Sequence, residues 1–132
     1  MNGDTSDIAV KRLLETLAET NRLLRDHAVK LRRSPAVTKA RTSLEVVSYR
    51  NGPVLEGYVE AELTDGEVVC WCLDVRWTPD SWSVETTVDR KTGDRQKTVK
   101  ELPTETATDI DGFLEVLERA VRALLALSIA DA

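Results

Sequence analysis

The spacing of apolar residues divides the chain into a long helix, an alternating central segment and a second helix. Apolar positions recur every three or four residues over 1–33 and again over 108–130, whereas apolar and polar residues alternate over 42–102. Ser34-Pro35 ends the first helix, because the residue before proline avoids helical geometry. Residues 34–41 are then expected to be a basic linker, and the whole chain, 1–132, is predicted to be a single domain.

The central segment predicts an antiparallel sheet whose strands follow one another in chain order. Short turns of Gly, Asn, Asp and Pro separate its strand-like runs, and such turns allow only antiparallel neighbours. The predicted strands are 42–50, 53–63, 67–77, 81–90 and 95–102. The predicted fold class is therefore α+β: an N-terminal helix, a five-stranded antiparallel meander and a C-terminal helix, with both helices packed on one sheet face.

The register of the sheet follows from keeping the apolar residues on one face. A turn at Pro79-Asp80 sets Trp77 opposite Trp82. A three-residue loop ending in a left-handed Gly66 pairs Val59 with Trp71, whereas a two-residue turn would move every side chain to the other face. A two-residue Asn51-Gly52 turn predicts that Leu44 lies opposite Val59.

The first helix carries a seven-residue repeat with a polar residue at its centre. A central Asn in such a seam is a known device for fixing a two-stranded pairing, but the same stripe also suits packing on a sheet. A helix of about 29 residues spans about 43 Å and outruns a ten-residue strand of about 33 Å, so one end is expected to overhang the sheet. The candidate self-association residues, which would support a homodimer, are Leu14, Leu17, Asn21, Leu24, Ala28 and Leu31.

Composition places the chain among folded globular proteins, and its charge is unevenly distributed. The 132 residues are 42% hydrophobic and 31% charged, which excludes a disordered or collagen-like chain. The net charge of −5 divides into +4 over residues 1–41 and −9 over residues 42–132. Such asymmetry favours partner selection by charge.

The polar face of the predicted sheet gathers acids and is the candidate partner-binding surface. An acidic field favours a basic protein partner and repels nucleic acid. The basic segment 22–41 lacks interleaved aromatic residues, and it could bind either phosphate or the acidic sheet of another subunit. Glu45 and Glu56 are predicted to lie near this face. The candidate partner-binding residues are Tyr58, Glu60, Glu62, Asp74, Arg76, Glu85 and Asp89.

The sequence predicts no metal site, cofactor or catalytic residue. Cys70 and Cys72 fall on one strand, where alternate residues lie about 6.5–7 Å apart, too far for an easy disulfide. Their spacing is not that of zinc ligands, and the only histidine, His27, lies on the first helix. Asp74 and Glu85 are expected to oppose each other across strands, but no supported nucleophile or phosphate loop accompanies them. A non-catalytic role is therefore favoured over an enzyme.

These features predict a protein-binding module, with a ligand-binding domain or small enzyme as the alternative. The first would dock a basic partner on the acidic face, as an immunity or antitoxin-type inhibitor or a small chaperone-like adaptor does. The alternative uses a pocket between helices and sheet walled by Trp71, Trp77 and Trp82. Reduced cysteines, the lack of a signal sequence and the lack of an apolar run of about 20 residues predict a cytoplasmic protein without a membrane span.

Overall fold

The computed structural model describes the backbone of residues 2–131 and the side chains of residues 7–130. Met1 and Ala132, which the predicted helix and domain limits included, lie outside the described residues. The elements are α1 (Asn2–Arg32), β1 (Val37–Tyr49), β2 (Gly52–Leu63), β3 (Val68–Trp77), β4 (Trp82–Thr92), β5 (Arg95–Glu101), β6 (Glu105–Ala107), α2 (Ile110–Leu125) and a final 3-10 turn (Ile129–Asp131). No helix in this part of the chain combines the length and the apolarity needed to cross a membrane.

The sheet is the predicted antiparallel meander, with one short additional strand. Strands β1 to β5 follow one another in chain order, and β6 pairs with the first residues of β4. Strands β5 and β6 lie end to end along the same edge of β4 and are separated by Leu102, Pro103 and Thr104. Proline cannot donate a ladder hydrogen bond, which explains the interruption. A three-residue strand is too short to show the alternation that predicts strands.

The predicted basic linker is wrong, because most of it belongs to the sheet. Strand β1 begins at Val37, and Val37 and Ala40 are buried in the core. A bulge between Val37 and Lys39 adjusts the register there. The charged residues of this segment occupy alternate strand positions, and their number obscured the strand pattern. Lys39 and Arg41 consequently lie on the sheet rather than on a connecting arm.

The predicted register is confirmed for β2, β3 and β4 and is wrong for β1. Trp77 pairs with Trp82, and Val59 pairs with Trp71. Gly66 has the predicted positive φ, +87°. In the first hairpin, however, Leu44 pairs with Gly57 rather than with Val59, so the strand is displaced by two residues.

Gly57 explains this displacement through its lack of a side chain. A Cβ at Gly57 would lie 3.0 Å from Leu44 Cδ1 and 3.2 Å from Leu24 Cδ1. Glycine therefore allows α1 and β1 to close over β2 at this point. The hairpin loop becomes Arg50-Asn51, and Gly52, with φ +123°, begins β2 opposite Tyr49.

Both helices cover the same face of the sheet, as predicted. The second half of α1 packs on β1 and β2, while α2 packs on β3, β4 and β6. Asp109 caps α2 by accepting a 2.7 Å hydrogen bond from the Gly112 amide. Helix α2 ends at Leu125 rather than at residue 130, and the last residues form the separate 3-10 turn. Arg12 on α1 pairs with Asp111 on α2 and ties the two helices together.

The seven-residue seam of α1 does not present a continuous surface to a second helix. Leu24, Ala28 and Leu31 are at most 8% exposed and contact the chain's own sheet, and Leu17 is partly buried there. Leu14 is 59% exposed, whereas Ala28, two repeats later, is 1% exposed. A seven-residue repeat rotates by about 20° per repeat on a straight helix, which carries the seam from solvent into the core. The last three self-association candidates are thus core residues of this fold.

Candidate functional site

The face of the sheet opposite the helices, here called the open face, gathers all the predicted partner-binding residues. Alternation along β2, β3 and β4 sends the apolar residues into the core and leaves polar side chains on this face. Six of the candidates are partly buried and Arg76 is exposed. The structure places together Tyr58, Glu60, Glu62, Asp74, Arg76, Glu85 and Asp89.

Four carboxylates form a row across neighbouring strands of the open face. Register pairs Glu45 with Glu56, Glu56 with Asp74, and Asp74 with Glu85, as expected for the last pair. We call these four residues the carboxylate row. Glu45 and Glu56 had been placed only near the face, and the displaced β1 register concealed the alignment of Glu45 with Glu56.

The electrostatics of the carboxylate row differ from one member to the next. Burial raises the pKa of Asp74, and the charges of Glu56 and then Glu85 add to the effect against the opposing influence of Arg76. The Tyr49 hydroxyl donates a hydrogen bond to Glu56, and this bond raises the pKa of Tyr49. Arg76 Nη1 lies 3.4 Å from Glu85 Oε2, a loose and exposed ion pair. The row therefore keeps an excess of negative charge.

The other end of the open face is electrically more balanced than the sequence indicated. Arg41 Nη2 lies 2.7 Å from Glu60 Oε1, and Lys39 is the register partner of Glu62. Lys91 lies beside Val68 at the same end. Lys39 and Arg41 reach the face because the supposed linker is part of β1. The acidic excess is thus concentrated at the carboxylate row rather than spread over the whole face.

Two thiols meet at the centre of the open face. The Sγ atoms of Cys70 and Cys72 are 3.3 Å apart, and Asp89 Oδ2 lies 3.8 Å from Cys72 Sγ. The separation of alternate strand positions had suggested a greater distance, but the two side chains lean toward each other. Contact with Cys70, burial and the charge of Asp89 raise the pKa of Cys72.

The thiol pair lies in a shallow hollow of about 110 Å³, whose lining also includes Glu60, Lys91 and Gln96. Among the side chains of residues 7–130, no group of three or more His, Cys, Asp or Glu residues is arranged to hold a metal ion.

The three tryptophans do not share one pocket. Trp71 is fully buried; its Nε1 donates a 2.9 Å hydrogen bond to the Leu127 carbonyl, and its ring meets His27 edge-on at 5.0 Å. Trp82 stacks on Phe113 with ring centroids 4.3 Å apart, and Trp77 lies 6.0 Å from Trp82.

The apolar groove beside these rings has a volume of about 250 Å³ and excludes Trp71. Sequence reasoning missed Phe113 as a member, although the apolar stripe of the second helix already directed it toward the sheet. The groove is lined by Leu13, Leu17, Val46, Leu55, Val75, Trp77, Trp82 and Phe113.

Comparison with models of known protein families, with curated proteins and with solved structures gives no match to this chain. A shared fold would in any case not carry function.

Proposed function

We propose that this protein is a non-catalytic binding module that docks a basic protein segment on its open face. The observation that supports this most directly is the carboxylate row, Glu45, Glu56, Asp74 and Glu85, which crosses four strands with one loose ion pair. Like charges directly opposite each other on a sheet are destabilising. A cationic partner offsets that repulsion. The row is therefore better explained by binding such a partner than by a contribution to folding stability.

The dimensions of the row fit a basic helix or an extended basic segment. Neighbouring strands lie about 4.8 Å apart, so four carboxylates span about 14 Å. Lys or Arg residues three or four positions apart on a helix have Cβ atoms about 5–6 Å apart and reach neighbouring carboxylates. A single-sign field also accelerates encounter with an oppositely charged protein. An immunity or antitoxin-type inhibitor, or a small chaperone-like adaptor, in the cytoplasm fits this mode of binding.

A charge-neutralised variant tests the row with a synthetic lysine- and arginine-rich helical peptide as the probe. We expect Glu56→Gln/Asp74→Asn/Glu85→Gln to weaken binding about tenfold at low salt, since each exposed ion pair contributes about 0.2–1 kcal/mol. Wild-type binding should weaken as salt screens the charges. Isothermal titration gives the affinities, and amide chemical shifts show whether β1 to β4 bind the probe.

The matched control removes three acidic charges away from the row, in Asp80→Asn/Asp94→Asn/Glu115→Gln. All three acids are exposed, two in turns of the sheet and one on α2. The control should bind the peptide within about twofold of wild type. Equal weakening of both variants would show that net charge alone attracts the peptide, and the proposal would then fail.

A second candidate function is binding of a small apolar ligand in the groove beside Trp77 and Trp82. The observation that favours it is the stack of Trp82 on Phe113 at 4.3 Å, at the edge of an apolar groove. Its volume, about 250 Å³, lies just below the usual range of about 300–1,000 Å³ for ligand pockets, so the ligand would be small.

Titration with the apolar dye anilinonaphthalene sulfonate tests the groove. Binding should enhance dye emission and quench tryptophan emission, and Trp82→Leu should reduce dye affinity several-fold. Tyr58→Phe, on the open face, is the control and should leave the affinity unchanged. Dye affinity that is the same in Trp82→Leu and in wild type removes this candidate.

We also propose that any homodimer forms through the first half of α1 rather than through the whole heptad seam. The exposed apolar residues there are Ile8, Val10 and Leu14, at 58%, 53% and 59% exposure.

A further inference from the structure

Cys70 and Cys72 lie close together on a strand whose backbone is constrained by neighbouring strands on both sides. Strand β3 is hydrogen-bonded to β2 on one side and to β4 on the other. A disulfide requires Cα atoms no more than about 6.8 Å apart and is most often found near 5.5–6 Å. Alternate residues of an extended strand are about 6.5–7 Å apart, so closing the bond would pucker the centre of the sheet. The sheet therefore favours the open dithiol.

The 3.3 Å separation of the two sulfurs is close to the separation of two thiolates on one tetrahedral metal ion. With Zn–S bonds of about 2.3 Å and tetrahedral angles, two sulfurs lie about 3.8 Å apart. An opening of about 0.5 Å is within reach of small rotations about χ1 and leaves the backbone in place. The site is thus nearly preformed for two of the four ligands.

The surroundings of the thiols favour a cation. Asp89 Oδ2 lies 3.8 Å from Cys72 Sγ, and Asp89 Oδ1 accepts a 2.8 Å hydrogen bond from the Thr98 hydroxyl, which orients the carboxylate. Glu60 lines the hollow but is neutralised by Arg41, and Lys91 is the opposing positive charge at its edge. The negative charge of Asp89 attracts a cation placed beside the two sulfurs.

We propose that Cys70 and Cys72 form a two-thiol binding site for a thiophilic divalent cation such as Zn²⁺ or Cd²⁺. Each thiol loses its proton and forms one sulfur–metal bond, so one ion bound releases two protons, and water fills the other coordination positions. Asp89 is a positioning residue beside the site. This proposal is independent of the docking of a basic partner.

Titration of the reduced 132-residue chain with Cd²⁺, in the presence of a phosphine reductant, tests the site. Thiolate-to-cadmium charge transfer in the ultraviolet should saturate at one ion per chain. Two protons per ion should be released near pH 7, since free thiols have pKa values of about 8.5. Cys70→Ser and Cys72→Ser should each abolish saturable absorbance, while far-ultraviolet circular dichroism checks that each variant is folded.

The carboxylate variant and its control separate a specific site from general attraction of a cation. Asp89→Asn keeps both thiols and should bind Cd²⁺ about tenfold more weakly, because it removes the negative charge beside the bound ion. Asp94 is an exposed acid in the turn between β4 and β5, and Asp94→Asn should leave the affinity for Cd²⁺ unchanged. Saturation at one ion per two chains would overturn the proposal, as would absorbance that persists in either serine variant.

A second measurement needs no substitution and therefore does not depend on the folding of any variant. Excess Zn²⁺ should slow alkylation of both cysteines in the wild-type chain at least tenfold, measured by mass spectrometry of the intact protein. Alkylation rates that are unchanged by Zn²⁺ overturn the proposal.

Discussion

His27 shows how a single residue can link the core to solution pH. It lies on α1, with its ring edge-on to Trp71 at 5.0 Å, and its Nε2 is buried without a hydrogen-bond partner among the described residues. Burial lowers the pKa of His27, and the neighbouring Lys30 adds to the effect. The folded state therefore favours the neutral ring. The unfolded chain protonates near the ordinary histidine pKa of about 6.5.

The free energy of unfolding should consequently fall as the pH drops below about 6.5, because the unfolded state then binds a proton that the folded state resists. We expect His27→Phe, which keeps an aromatic ring against Trp71, to lose this pH-dependent part of the free energy of unfolding. Urea denaturation at about pH 7.5 and about pH 5 measures it as the difference between wild type and variant. Asp74 has a raised pKa, so its protonation at lower pH increases the free energy of unfolding. This contribution is the same in wild type and variant and cancels when the two are compared. An identical loss of stability in wild type and His27→Phe contradicts the assignment.

The residue scale also shows why part of the site could not be predicted. Alternation placed Asp74, Glu85 and Asp89 on one face, because side-chain direction on a strand follows from position alone. The 3.3 Å approach of Cys70 and Cys72 depends on side-chain rotamers, and a sequence pattern does not specify them. Trp71 was misplaced for a similar reason: the pattern gave its face, but its burial depends on what α1 and the last turn place over it.

At the scale of elements, the register of a strand pair was predictable where an error would have exposed apolar residues. A one-residue slip between β3 and β4 would separate Trp77 from Trp82 and move one whole apolar set to solvent, so the pattern excluded it. The two-residue displacement of β1 keeps every side chain on its own face, so the pattern could not detect it. Packing decides that register, because Gly57 is the position at which Leu44 and Leu24 approach the β2 backbone.

The basic segment before residue 42 illustrates the same limit for element boundaries. Charge concealed the strand, because Lys39 and Arg41 were counted toward a separate arm rather than as alternate positions of β1. Their location on the open face changes the electrostatics of the site, since Arg41 neutralises Glu60 and leaves the acidic excess at the carboxylate row. The error in the predicted start of β1 therefore also gave the wrong charge distribution on the open face.

The whole molecule has a sheet face covered by the helices, an open sheet face that carries the carboxylate row, and a first helix with exposed apolar residues in its first half. Helix α1, with 31 residues, is about 46 Å long; its buried apolar residues lie in its second half, whereas Leu13 and Leu17 of the first half are partly buried. Val46, 63% exposed, lines the apolar groove below the first half of the helix. One molecule thus carries both exposed apolar residues on α1 and an apolar groove beside them. The exposed residues of one copy could pack into the groove of another. In a two-fold dimer each copy would contribute both halves.

This arrangement predicts that Leu14→Glu shifts the protein toward monomer. A charge at Leu14, 59% exposed in the single chain, costs little in folding but would be buried between two copies. Light scattering over a range of concentrations should show a wild-type dimer whose dissociation constant rises at least tenfold in the variant. Val29→Glu is the matched control, because Val29 is exposed on the other half of the same helix and should leave association unchanged. A wild-type chain that stays monomeric at every concentration would show that the first half of α1 does not self-associate, and the open face would then be the main candidate for contact with other proteins.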